Sequence, residues 1–224
     1  MERITVTLPH ELSAHIMRKQ PTQKRAQLTI EAIFEATSQI VDREGVSGLT
    51  TNKIAAKAGF SVGTLYQYFS SKEAIFRAMS QRGRSLVLRD IESFLFSIEC
   101  SQDPLDISAE EFVRQYVQIC IEGFALGKSY RRAMNRLCWL LEQPEESVSS
   151  VQKLVERLTL CLKYLQHPML PVLDETHMFV MSRSLLGCLR SASLERFAPL
   201  DSVEFEQQLV DLLMGQFVRN LEAA

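Results

Sequence analysis

The 224-residue chain is predicted to be all-α, with about nine helices. Three observations carry this prediction. Apolar residues recur three and four positions apart over long stretches, as they do along one face of a helix. Glycines and prolines punctuate those stretches, where helices stop. Two-residue alternation, the mark of a strand, is confined to "RITVTL" near the start. The chain is 46% hydrophobic and 23% charged, an ordinary globular balance that suits one large or two small domains with a buried core. No apolar run approaches the roughly 20 residues that a membrane span requires.

Residues 1–20 are expected to be an extension, either a short strand or disordered, and too short for the two helices of a ribbon-helix-helix fold. "MERITVTLPHELSAHIMRK" lacks the basic and apolar regions of a signal peptide, so a cytoplasmic location is expected. The first helix runs from Thr22 to Glu44, with Ala26, Ile30, Ile33, Thr37 and Ile40 on one face, widened by Phe34 and Val41. Gly45 stops it. Thr50 stands where an N-cap belongs, before "TNKIAAKA", which ends at Gly59. Ser61 caps "VGTLYQYF". Ser71 caps a long helix from Lys72 toward Ile98. Beyond Pro104, helical segments are expected near 107–125, 128–142, 146–166, 172–195 and 202–221, separated by Gly127, Pro144, His167–Pro168 with Pro171, and Pro199.

Residues 50–69 have the anatomy of a helix-turn-helix. Ile54 and Ala55 serve the core from the first helix, and Leu65 and Phe69, four apart, from the second. A recognition helix enters the major groove by its N-terminal end, so residues there must be small or polar. "SVGT" meets that demand, which makes Ser61, Val62, Gly63 and Thr64 candidates. Glycine at 63 costs a helix about 1 kcal/mol against alanine, and is better explained where a backbone must approach DNA closely. With Leu65 and Phe69 facing in, Tyr66 and Tyr68 are expected on the flanks, within reach of phosphates, and Gln67 points away from the core. Lys72 adds positive charge at the start of the next helix.

Charge supports a division of labour. Residues 1–90 carry 13 Lys and Arg against 8 Asp and Glu, and residues 91–224 carry 12 against 19. A basic front suits a polyanion. Cys100, Cys120, Cys138, Cys161 and Cys188 form no CxxC and are expected as small core hydrophobes. His10, His15, His167 and His177 offer no ligand-spaced pair beyond the gap between the first two, so neither metal nor cofactor is expected. No nucleophile–base pair or glycine-rich phosphate loop points to an enzyme.

"GLTTNKIAAKAGFSVGTLYQYFSSKEAIF", with "TIEAIFEATSQIVDREG" before it, resembles the DNA-binding domain of the tetracycline-repressor (TetR/AcrR) family of bacterial transcriptional regulators. The resemblance covers about residues 22–76 without gaps. It implies a homodimer in which each subunit reads half of a palindromic operator through residues 62–68. It also implies a helical C-terminal domain that binds a small ligand and dimerises through its last two helices. Matching the family's contacts, Val62, Gly63 and Thr64 would approach bases. Thr64, Tyr66, Tyr68 and Lys72 would hold phosphates, and Thr51 and Lys53 would touch the backbone. Lys24 and Arg25, with Arg18 and Lys19, are candidates for a basic arm. The domains implied are 21–71 for DNA and 72–224 for ligand and dimer, after the 1–20 extension that the family pattern does not cover.

The rear two-thirds carries no shared motif. Phe112, Tyr116, Phe124, Met134, Cys138 and Trp139 are candidates for lining a ligand cavity between helices, with Arg114, Glu122 or Asn135 as polar anchors. The last two segments have broad apolar faces. Phe179, Leu186 and Leu189 on one, and Phe205, Leu209, Leu213 and Phe217 on the other, are candidates for the two-fold contact. The expected function is a repressor released from its operator by an unknown small molecule. The alternative is a DNA-binding protein of the same fold with an architectural or division-associated role.

Overall fold

Short polar residues before apolar periodic stretches begin most of the helices, and left-handed glycines end the first two. The computed structural model describes residues 24–101, 103, 105–124, 135–136, 139 and 144–223. Within them stand eight α-helices and one 3-10 turn, with no strand. They are α1 (Lys24–Glu44), α2 (Thr51–Ala58), α3 (Val62–Tyr68), α4 (Lys72–Glu99), α5 (Ala109–Phe124), α6 (Pro144–Leu165), α7 (Glu175–Glu195) and α8 (Val203–Ala223). The all-α expectation holds. "RITVTL", Arg18 and Lys19 and most of the expected 128–142 helix lie outside the described residues.

Gly45 (φ +72°) and Gly59 (φ +78°) take the left-handed conformation that ends α1 and α2. Ser71 Oγ accepts the Ala74 N–H at 3.2 Å and so begins α4. Asp174 caps α7 by accepting the His177 N–H at 2.8 Å. That bond and the His177 ring beside it hold the Asp174 carboxyl below its usual range.

The chain forms two units. Of the described residues, the first takes those up to Ser85 and those between 128 and 142; the second takes those from 86 to 124 and from 144 onward. The boundary therefore falls within α4.

The core of the first unit gathers Ile33, Phe34 and Ile40 from α1, Leu49 from the connection, Ile54 and Ala55 from α2, Leu65 from α3, and Phe69, Ile75, Phe76 and Met79. Phe34 and Phe69 meet at 5.8 Å between ring centres. Arg82 lies over the Phe34 ring and pairs with Glu31 of α1, tying the first part of α4 to α1. Thr37 and Ser38 are buried in α1, and each donates its hydroxyl to the carbonyl four residues back, so neither hydroxyl is stranded.

The core of the second unit is larger. Ile91, Phe94 and Leu95 of α4 pack with Phe112 and Val117 of α5, Leu158 and Leu162 of α6, Leu185 and Leu189 of α7, and Leu209, Val210, Leu213 and Phe217 of α8. Arg157 of α6 makes a two-pronged bond to Glu99 at the end of α4, 2.7 Å on each arm. Arg114 of α5 reaches Glu206 and Gln207 of α8.

Two expectations are corrected here. Leu189, Leu209, Leu213 and Phe217 are buried in their own subunit, because their i, i+4 stripe faces the core, and they are not available to a partner. Phe205 is half-buried against the same core, Leu186 is half-buried, and of the seven interface candidates Phe179 alone is openly exposed, at 60%. The cysteines also divide. Cys120 and Cys161 are buried, and burial pushes their thiols up to about 12 and about 11, whereas Cys100 and Cys188 are exposed. Cys138 lies outside the described residues.

Gly123 sits so close to α4 that an added Cβ would overlap the Val87 side chain. Gly123→Ala is expected to destabilise the chain by about 1–3 kcal/mol through overpacking. Adding Val87→Ala, which removes the colliding methyls, should recover part of that loss in urea unfolding. If the second change made matters additively worse, this contact would not be the cause.

Candidate nucleic-acid interface

α2 and α3 are eight and seven residues long, so their geometry is set by caps and by the core beneath. Thr50, extended at φ −131°, accepts the Lys53 N–H at 3.2 Å and starts α2. Gly59 ends it, with the Gly59 N–H on the Ala56 carbonyl and the Phe60 N–H on the Ala55 carbonyl, the paired bonds of a Schellman motif. One residue on, Ser61 Oγ accepts the Thr64 N–H at 3.1 Å and starts α3. The turn between the helices is thus fixed at both ends by hydrogen bonds.

α3 turns Leu65 and Tyr68 inward, followed by Phe69. This corrects the expectation for Tyr68. Positions 65, 68 and 69 share one helical face, so its ring is 9% exposed and belongs to the core instead of standing on a flank. Tyr66 is 41% exposed, and its hydroxyl lies 3.3 Å from Thr51 Oγ1 at the start of α2, bridging the two helices on the outer side. Ser61, Gly63 and Gln67 are exposed; Thr64 is half-buried, with its hydroxyl 2.9 Å from Ser61 Oγ. Val62 is half-buried against the core.

The cations are placed differently from one another. Lys24 and Arg25 are exposed at the start of α1. Lys72 is half-buried and donates to the Leu49 carbonyl at 3.3 Å, holding the start of α4 against the chain before α2. Lys53 pairs with Glu44, the last residue of α1, at 2.7 Å. Glu44 is a residue that the sequence reading missed; nine positions separate the pair, and no periodicity within either helix connects them.

Gly63 has no need of its glycine inside the fold. A Cβ there would meet only Ser61 Oγ, at an ordinary 3.7 Å, and its φ is not positive. The space it leaves is on the outside.

The second unit contains a cavity of about 20 Å³ lined by Tyr116 and Cys120 of α5, Leu154 and Leu158 of α6, and Met178 and Met181 of α7, among others. That is room for roughly one water molecule. Of the six residues expected to line a pocket, Tyr116 does so. Phe112 is instead core, its ring tilted against that of Phe94 at 5.4 Å between centres, and Trp139 is buried elsewhere, in the first unit. The Phe124 side chain, Met134 and Cys138 lie outside the described residues. Arg114 is committed to Glu110 and Glu206 and does not line the cavity, nor does Glu122, which is exposed, or Asn135. The methionines and leucines of α6 and α7 carried only an ordinary apolar period, which marks core and cavity wall alike. Burial holds the Tyr116 phenol well above its ordinary range. Among the described residues no cluster of His, Cys, Asp and Glu could hold a metal, and no helix is long and apolar enough to cross a membrane.

Residues 33–79 match the family model of bacterial regulatory proteins, tetR family. Over those residues, which include α2 and α3, the chain is similar to that family. An uncharacterized HTH-type transcriptional regulator, YvdT of Bacillus subtilis, is 28% identical over 108 residues, covering 46% of this chain and 56% of that protein. The tetracycline repressor protein class D of Escherichia coli is 34% identical over 55 residues, a quarter of each chain. The chain thus spans between a quarter and 60% of the length of these curated relatives. A putative TetR-family regulator from Mesorhizobium loti has a similar fold, with TM-score 0.61 at 16% identity over 90% of this chain and 98% of that one.

Gly63→Ala separates fold from DNA binding in this unit. Its thermal stability is expected to hold or rise by up to about 1 kcal/mol, since helix propensity improves and nothing internal is displaced. Its affinity for duplex DNA should fall. A variant that binds as well as the parent would show that no close approach occurs at this position.

Proposed function

We propose that this chain is a sequence-specific DNA-binding transcriptional regulator of the TetR family, acting as a repressor that a small molecule releases from its operator. The observation that carries the reading is the α2–α3 arrangement. It exposes Gly63, Tyr66 and Gln67, with Thr64 half-buried beside them, on one side of a short helix whose other side is locked into the core. Small and polar groups there suit the approach to base edges, and the hydroxyls of Thr51, Thr64 and Tyr66 suit phosphate oxygens. Lys24, Arg25 and Lys53 add positive charge on the same unit. For Tyr68 and Lys72 the proposed role becomes support, through the ring and through the bond to Leu49, with any phosphate contact left to their outer edges.

Release requires a second state. α4 contributes Ile75, Phe76 and Met79 to the first core and Ile91, Phe94 and Leu95 to the second, so a ligand that rearranges the second core acts on a helix the first also needs. The cavity beside Tyr116 is the proposed place. It would have to open to admit an effector, and its uncharged lining favours an apolar one. The effector shifts the equilibrium only by its difference in affinity for the two states. A relative named as a tetracycline repressor, similar over 55 residues, supports the repressor half of this reading. The proposed assembly is a homodimer through the outer faces of α7 and α8, where Phe179, Val180, Leu212 and Val218 are exposed. Its two recognition helices would need to lie about 34–36 Å apart to reach successive major grooves.

Binding to duplex DNA should weaken steeply with salt, with log affinity falling by about 0.9 per neutralised phosphate for each unit of log salt. Replacing Lys24 and Arg25 by Gln should flatten that slope. An affinity indifferent to salt would remove the DNA reading. Genome-wide occupancy is expected at one or a few palindromes beside promoters; many dispersed sites would replace gene repression with an architectural role.

A further inference from the structure

Two charges in the first unit stand at helix ends that disfavour them. Glu44 is the last residue of α1, where free carbonyls repel an acid, and Lys53 is the third residue of α2, where free N–H groups repel a cation. The sequence Thr50-Thr51-Asn52-Lys53 sharpens the point. Thr50 already accepts the Lys53 N–H, and an acid at position 53 would return a bond to the Thr50 N–H and complete a reciprocal cap. A lysine cannot. Neither charge is where helix stability would put it, yet the two meet at 2.7 Å.

The meeting is also built from below. Gly48 lies against Glu44, and a Cβ there would stand 2.7 Å from Glu44 Cβ and 2.9 Å from its Oε2. Gly48 has no positive φ that would call for glycine on conformational grounds. What it supplies is the space in which the Glu44 side chain lies while it reaches Lys53. The charged neighbours of this carboxylate are Lys53 foremost, then Lys57 and Arg43, so it sits among cations. Both members of the pair are about half exposed, at 51% and 47%, so water competes for each and the pair is readily exchanged.

We propose that Glu44 is a built-in competitor for Lys53: it holds the ammonium in the free protein, must yield it to a DNA phosphate on binding, and thereby lowers and tunes DNA affinity. The inference rests on the reading of α2–α3 as the DNA-facing surface. Binding then costs the exchange of one carboxylate for one phosphate and leaves Glu44 beside a polyanion without its partner. A carboxylate so placed keeps affinity below what the same cations would otherwise reach, which makes dissociation on effector binding easier.

The test is a double-mutant cycle on the full chain, with a mixed-sequence duplex as the probe, because phosphate contacts carry no sequence information. Affinity is read by fluorescence anisotropy between about 50 and 200 mM salt. Glu44→Gln is expected to tighten binding roughly 2- to 10-fold at the low-salt end. Lys53→Met should weaken it and flatten the salt slope, and in that background Glu44→Gln should tighten binding by clearly less than it does in the parent. Equal tightening by Glu44→Gln with and without Lys53 would overturn the proposal, since it would mean that only a distant negative charge had been removed. No tightening in either background would overturn it too. If the unmodified chain bound no duplex at any salt concentration, the DNA reading itself would fall, and this inference with it. That result is distinct from a failed cycle on a chain that binds.

Discussion

Burial of Leu65 and Phe69 against Ile33, Phe34 and Ile54 is the constraint on which the exposed surface depends. Helices of eight and seven residues have little stability of their own in water, because nucleation consumes most of what so few hydrogen bonds return. The caps at Thr50, Gly59 and Ser61 choose where each helix begins and ends, and the buried side chains choose which way it faces. Once Leu65 and Phe69 are inside, the outward direction of Gly63 and Gln67 follows from the helical period alone. The Thr51–Tyr66 contact and the Lys72 bond to the Leu49 carbonyl then close the outer rim without adding core.

Much of this was legible in the sequence because it is local. Thr50, Gly59, Ser61 and Ser71 each act within a few residues of themselves, and each stands where its side chain or its φ is needed. The limits of the eight described helices lie within about three residues of those expected, for the same reason. Tyr68 was misread because a 65/69 pair leaves the neighbouring 68 ambiguous between flank and core; the third dimension settled it when the ring packed beside Phe69. Glu44 was illegible for a different cause. Its partner is nine residues away across a turn, and surface ion pairs leave no periodic trace.

The second unit shows where apolar patterning stops being informative. Leu189, Leu209, Leu213 and Phe217 read equally well as core or as interface, since both demand the same residues at the same spacing. The difference lies in how wide each apolar face is and in what already covers it. α8 is covered on that face by α5, which the one-dimensional pattern cannot express. The cavity wall is similar: Met178, Met181 and Leu154 differ from core neighbours only in having a small void beside them. Aromatic richness pointed to α5 and beyond, but Phe112 packs its ring at a tilt against Phe94 in the core.

The path of α4 bears on how such a protein can be recombined. Its residues up to Met79 belong to one core and those from Val87 onward to the other, with no break in the helix between them. A chimera that exchanged the front unit for another would have to place its seam in residues 80–86. Even there Arg82 is spoken for by Phe34 and Glu31. A seam that gained or lost a single residue would turn every later side chain of α4 by about 100° against the earlier ones. Modular exchange within this architecture is therefore a problem of helical phase, and cutting at the end of the helix-turn-helix would leave the front unit without part of its own core.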